Sequence, residues 1–145
     1  MTEFNKVFLD TNPIIYLLDD DINFGQKTEQ IISSFIRDEK FIVSSVITAT
    51  EYLVYPYKTG NSAKIKAFWD FIYNSYILLY PINNDIATEA AKILAEYKHF
   101  KPMDALQLAS AICSGCDLFL TNDKQLRQFD KISCVTVEEW SGLNV

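Results

Sequence analysis

The strongest constraint on the fold of this chain is an alternation. Short apolar runs suited to strands take turns with longer stretches whose apolar residues recur at helical spacing. Lys6 to Leu9, the run FIVSS at 41–45, Tyr76 to Tyr80, Asp117 to Leu120 and Ser133 to Val137 read as strands. Between the first two, Pro13 is placed to open a helix over Ile14 to Leu18, and Thr28 to Glu39 carries apolar pairs at Ile31, Ile32, Phe35 and Ile36. From Val46, VITATEYLVY reads as a helix closed by the turn signals Pro56, Gly60 and Asn61. Ile65, Phe68, Trp69 and Ile72 mark another amphipathic helix, and DIATEAAKILAEY repeats the pattern. Pro102 then opens a helix to about Ser114, and Lys124 to Phe129 forms a short one.

Strands that alternate with helices need crossover connections, and crossovers produce parallel strands covered on both faces. The expected fold class is therefore α/β: a three-layer α/β/α sandwich with a central, mostly parallel sheet of about five strands. The 145 residues suit a single domain, 1–145. Hydrophobic content of 49%, charged content of 22% and only four Gly and four Pro fit an ordered globule rather than a linker. No window is apolar for the length of a membrane span, and MTEFNKVF lacks the basic start of a signal peptide, so no membrane role and a cytoplasmic location are expected. Cys113, Cys116 and Cys134 are an odd set for a disulfide framework. CSGC spells C-x-x-C, but with a single histidine, His99, and no second ligand pair, small buried thiols beside a helix stop at Gly115 explain it better than zinc or redox chemistry. A net charge of −6 excludes nucleic-acid binding driven by bulk charge, while leaving room for contact through metal ions and a local basic patch.

Four acids stand apart from other charges. Asp10 is the only charge between Lys6 and Asp19, Glu51 the only one between Lys40 and Lys58, and Asp104 the only one between Lys101 and Asp117. Asp123 is the first charge after Asp117. Asp10 and Asp123 follow the similar strands of FLDTNP and FLTNDK, where open parallel sheets bind ligands. Glu51 shares a helical stripe with Ile47 and Val54, and Asp104 sits in the first turn of a helix, where the dipole favours an anion. Each has a purely structural alternative: turn or cap for Asp10 and Asp123, cap for Asp104, a bond to a buried amide or lysine for Glu51. Together they fall where an α/β sheet would converge them. Two carboxylates 4 Å apart repel by about 4 kcal/mol at an effective dielectric near 20, so such a cluster protonates or collects cations. Oxygen donors suit Mg²⁺ or Mn²⁺, and that combination suits phosphodiester hydrolysis. Thr11, Asn12 and Thr121 are placed to orient the acids through hydrogen bonds.

FLDTNPIIYLL, SSVITATEYL, KPMDALQLASA and LFLTNDKQL, in this order, resemble the signature segments of the PIN domain family, and most of all the small VapC-type toxin ribonucleases. The resemblance runs from Val7 to about Phe129. It implies a Mg²⁺- or Mn²⁺-dependent endoribonuclease with the family's acidic positions at Asp10, Glu51, Asp104 and Asp123. Asp10 and Asp104 would be the principal metal ligands, Glu51 and Asp123 would bind a second metal or position water, and Asn12 and Thr121 would support them. It further implies an RNA substrate, a homodimer and a cognate antitoxin. Many relatives carry Arg where Lys101 stands, a departure that touches phosphate contacts rather than the acids. Tyr52, Tyr55, Tyr57, Trp69 and Tyr73 read as core or as a groove for an antitoxin helix. Lys58, Lys64 and Lys66, or Lys98, His99 and Lys101, read as a solvated face or an RNA-guiding patch. Two rivals stay open: a haloacid dehalogenase-like phosphatase, which normally needs a second Asp where Asn12 stands, and a catalytically silent module that binds metal or a partner.

Overall fold

The computed structural model describes residues 3–141. Its five strands are β1 (Lys6–Leu9), β2 (Phe41–Ser45), β3 (Leu78–Tyr80), β4 (Leu118–Thr121) and β5 (Ser133–Thr136). They form one sheet in the order β3-β2-β1-β4-β5 with every pairing parallel. Six helices connect or flank them: α1 (Thr11–Leu18), α2 (Gly25–Arg37), α3 (Val46–Lys58), α4 (Ser62–Asn74), α5 (Asn84–Glu96) and α6 (Pro102–Cys113). A 3-10 helix, Lys124–Gln128, precedes β5. The expected three-layer sandwich is present.

The layers follow from the two-residue period of the strands. On β1, Val7 and Leu9 join Ile42, Leu118 and Leu120 under α1 to α4, in a core completed by Ile14, Ile32, Phe35 and Phe68. Phe8 points the other way and joins Val43 and Phe119 under α5 and α6, against Ile93, Leu108 and Ala109. Phe8 and Phe119 stack across β1 and β4 with centroids 5.2 Å apart. Both faces of the central strands are therefore apolar, as covered parallel strands require.

Sheet order also positions a site. From β1 the chain steps outward through β2 to β3, then crosses to the other side of β1 for β4 and β5, so the topology reverses between β1 and β4. Asp117 fixes the opposite end of this pair, its carboxylate accepting from the backbone N–H groups of Asn5 (2.8 Å) and Lys6 (3.1 Å).

Several boundaries differ from expectation for identifiable reasons. α1 begins at Thr11, two residues before Pro13, because Asp10 takes the cap position and accepts from the Thr11 N–H. Pro13 fits the third helical position because N–H groups of the first turn have no partner within the helix. Pro56 does not end α3, which continues to Lys58; the chain leaves the helix at Gly60, whose φ of +62° is left-handed. β3 starts at Leu78 rather than Tyr76, because Tyr76 is itself left-handed at φ +54°. α2 starts at Gly25, ahead of Thr28, where a Cβ would lie 3.0 Å from the Tyr16 carbonyl oxygen and 3.1 Å from the Asp20 carbonyl carbon. Cys113 is exposed, so only Cys116 and Cys134 are partly covered thiols. Of the aromatic set, Tyr52 is buried and Trp69 packs against the core, while Tyr55, Tyr57 and Tyr73 are exposed. Among the described residues no helix is long and apolar enough to cross a membrane.

Candidate active site

Asp10 leaves the carboxyl end of β1, and its N–H donates to the Leu120 carbonyl at 2.9 Å, tying it to β4. Its side chain is 7% exposed. Oδ1 accepts from the Thr11 N–H at 2.9 Å, and Oδ2 accepts from the Thr121 hydroxyl at 2.8 Å. The echo between FLDTNP and FLTNDK thus has a spatial counterpart: Leu9 and Leu120 pair, and the polar residues that follow them meet. Asp123 caps the 3-10 helix, accepting from the Gln125 N–H at 3.0 Å, while its own N–H donates to Thr121 Oγ1 at 3.1 Å. Asp104 stands in the first turn of α6, which Pro102 opens.

Glu51 departs from expectation in its burial. The stripe on α3 is not apolar at this point, and both Glu51 and Val54 are exposed. An exposed carboxylate needs no buried counter-ion, so Glu51 requires neither the buried amide nor the lysine of the structural alternative. Glu51 Oε1 instead accepts from the Thr11 hydroxyl at 2.6 Å.

All four acids line one cleft of about 630 Å³, together with Thr11, Asn12 and Lys101. Burial pushes the Asp10 carboxyl up to about 6; its bonds to Thr121 and Thr11 pull the other way, and the charges of Asp104 and Glu51 add to the rise. Burial, followed by the neighbouring charge of Asp123 and further by that of Glu51, also raises Asp104. The acids therefore sense one another across the cleft. Of the described residues lining it, Lys101 alone is basic, and it is exposed. The four nevertheless line the cleft without closing on one point: among the described residues no three His, Cys, Asp or Glu side chains form a group arranged to hold a metal ion. The donor set itself, oxygen throughout and short of cationic partners, fits a hard divalent cation that keeps several waters and needs only one or two direct carboxylates.

Beneath the acids lies a polar network that the sequence pattern did not announce. Gln107 is buried in α6, where its Oε1 accepts from the Ser45 hydroxyl and its Nε2 donates to Thr48 Oγ1 at 2.9 Å. Nε2 also lies 3.4 Å from both Asp10 Oδ1 and Thr11 Oγ1. The Ser44 hydroxyl donates to the Leu9 carbonyl at 2.7 Å and lies 2.8 Å from Thr48 Oγ1, which lies 3.2 Å from Thr11 Oγ1. The Thr11 hydroxyl gives its proton to Glu51 and so stands as an acceptor toward Gln107 Nε2 and Thr48. The sequence did hold a signal: Gln107 interrupts the apolar run ALQLASA one helical turn after Asp104, and Thr48 precedes Glu51 by one turn. Asn12, expected to support the site, lines the cleft but is exposed, and its side chain makes no hydrogen bond among the described residues.

The sequence model of the PIN domain matches residues 7–132. The chain belongs to the PIN domain family. Solved structures carry the same fold. VapBC2 from Rickettsia felis, bound to a DNA fragment from its promoter, matches this PIN domain with a TM-score of 0.74 at 14% identity, over 90% of this chain and 98% of that one. A toxin-antitoxin complex from Klebsiella pneumoniae gives a TM-score of 0.66 at 23% identity, covering 90% of this chain and 97% of the other. VapC20 from Mycobacterium tuberculosis, a Sarcin-Ricin loop cleaving toxin, gives 0.67 at 14% identity, covering 88% and 98%. No curated protein matches the chain.

Proposed function

We propose that this PIN domain protein is a Mg²⁺- or Mn²⁺-dependent endoribonuclease and the toxin component of a toxin–antitoxin pair. The observation that carries the proposal is the convergence of Asp10, Glu51, Asp104 and Asp123, from four separate segments, on one cleft at the topological switch point. Support for the biological setting comes from the names of the structural neighbours, which include a toxin–antitoxin complex, a VapBC assembly and a Sarcin-Ricin loop cleaving toxin.

Asp10 and Asp104 would hold the cation, with Glu51 and Asp123 completing its surroundings or aligning water. A cation bound there supplies Lewis-acid polarisation of the phosphoryl group and lowers the pKa of water for in-line attack. The chain's own residues do the positioning. Thr121 holds one oxygen of Asp10 and the backbone of Asp123, so the two acids are placed by a single hydroxyl. Thr11 fixes Glu51, and Gln107 and Thr48 fix Thr11. Lys101, at the cleft wall, is placed to contact a phosphate and offset part of the acids' repulsion of an RNA backbone.

Purified protein is expected to cut RNA with Mg²⁺ or Mn²⁺, to stop on chelation, and to lose the activity in Asp10→Asn. Equal cleavage by that variant overturns the mechanism. One observation favours a second reading, a catalytically silent module that binds a partner: the acids do not close on a common point. Binding of a partner protein with neither metal uptake in calorimetry nor cleavage of any RNA would select it.

A further inference from the structure

Next to the acidic cleft lies a second, smaller pocket of about 150 Å³, sharing Ile15 and Glu51 with it. Tyr52, Tyr55 and Pro56 of α3 form its apolar wall, and Asp19 and Lys64 stand at its edge. Tyr52 is buried and stacks on Phe68 with centroids 5.1 Å apart, which makes the wall rigid. Tyr55 is 65% exposed, so its ring is available as a surface. Polar capacity at the edge is only half used. Tyr52 Oη donates to Asp19 Oδ1 at 2.9 Å, and Lys64 Nζ donates to the same oxygen at 3.2 Å. Among the described residues Asp19 Oδ2 receives no hydrogen bond.

We propose that this pocket takes one unpaired base of the RNA strand, its ring stacked on Tyr55 and its edge met by Asp19 Oδ2 and Lys64, next to the phosphate held at the acids. The inference rests on the nuclease reading and adds to it a source of sequence preference. Three features favour a base over a protein partner here. A helix with its side chains is about 10–12 Å across and does not enter a space of this size. An acceptor beside a cationic donor complements the mixed N–H and carbonyl edge of a nucleobase, whereas an aliphatic side chain leaves both unmatched. Glu51 and Tyr55 are four residues apart on α3, so they project from one helix face about one turn apart, and both line this pocket. A strand with its phosphate at the first would bring a neighbouring base to the second.

The test is sequencing of the ends produced when the full protein, with Mn²⁺, cuts RNA of randomised sequence, with KM and kcat measured on one favoured substrate. Wild-type protein is expected to show a base bias beside the cut. Tyr55→Ala should flatten that bias and raise KM about tenfold or more with kcat little changed, as loss of a base–aromatic stack predicts. Tyr55→Phe should keep both, and Asp19→Asn should change which base is favoured. Biased cutting that Tyr55→Ala leaves intact overturns the pocket and spares the nuclease reading. So does a Tyr55→Ala variant that cuts with unchanged bias but loses a bound partner protein. No cutting by the wild type overturns both. Melting by circular dichroism, expected to be unchanged for the exposed Tyr55, confirms that the variants are folded.

Discussion

Asp10→Asn should make the metal-free protein more stable while abolishing its activity. Asp10 is 7% exposed, and burial is the first cause lifting its carboxyl from 3.8 to about 6. A raised carboxylate reverses the usual sign: below the unfolded value both states are protonated and nothing is lost, whereas above about 6 the folded protein must hold a charge that water solvates better. A tenfold change in proton affinity corresponds to about 1.4 kcal/mol, so ionised Asp10 costs the fold about 3 kcal/mol at neutral pH. Asparagine carries no such charge. Its amide oxygen keeps the bond from the Thr11 N–H, but the Thr121 hydroxyl must turn from donor to acceptor, a change worth about 1 kcal/mol. The expected net gain is about 2 kcal/mol, or about 4–8 °C in Tm for a chain of this size. Thermal and urea melts in EDTA at pH 7.5 measure it. The gap between variant and wild type should grow from about pH 4 to about pH 6 and stay level above. Mg²⁺ should then stabilise the wild type more than the variant, by mass action on a folded-state site. A variant no more stable than wild type in EDTA at pH 7.5, or a gap that ignores pH between 4 and 6, would refute the reasoning.

Thr121→Val removes a bond that lowers Asp10, so the acid limb of the pH–activity profile should move to higher pH; initial rates across pH 5 to 8 check it. Gln107→Leu leaves the buried Ser45 hydroxyl without its acceptor and takes a donor from Thr48, and should cost about 1–3 kcal/mol in urea melts. Activity per folded molecule should also drop about tenfold or more, because the partners that orient Thr11 and Asp10 are gone. Gly25→Ala forces a Cβ against the backbone of Tyr16 and Asp20 and should destabilise by about 1–3 kcal/mol, read by the same melts, with the cleavage rate of the folded protein unchanged.

The strands and helices were legible because their periods are clean. Val7, Phe8 and Leu9 alternate between two cores, and α2 repeats its apolar pairs at helical spacing. Boundaries were less legible where one residue has two uses. Pro13 reads as a first helical position, but Asp10 holds the cap two residues earlier than that placement requires; Pro56 reads as a stop, but the loss of one N–H does not end a helix packed at that residue. Isolation from other charges found the acids of the cleft because four separate segments each bring one carboxylate to it, with Lys101 the one basic residue among the described lining. The same criterion misjudged Glu51, since isolation along the chain says nothing about exposure. It also could not see Gln107, Thr48 or Ser45, which carry no charge and reach the site only after α3 and α6 pack against the sheet.

The left-handed turn at Gly60, with open space where a side chain would stand, divides the four acids into pairs: Asp10 and Glu51 precede it, Asp104 and Asp123 follow it. Neither half of the polypeptide can assemble the cleft alone, and a ribosome must pass the codon for residue 123 before the full set exists. Severed at that turn, the chain would give two pieces with two of the acids each, and only their reunion would complete the cleft, a natural seam for building a reporter of proximity between two other proteins.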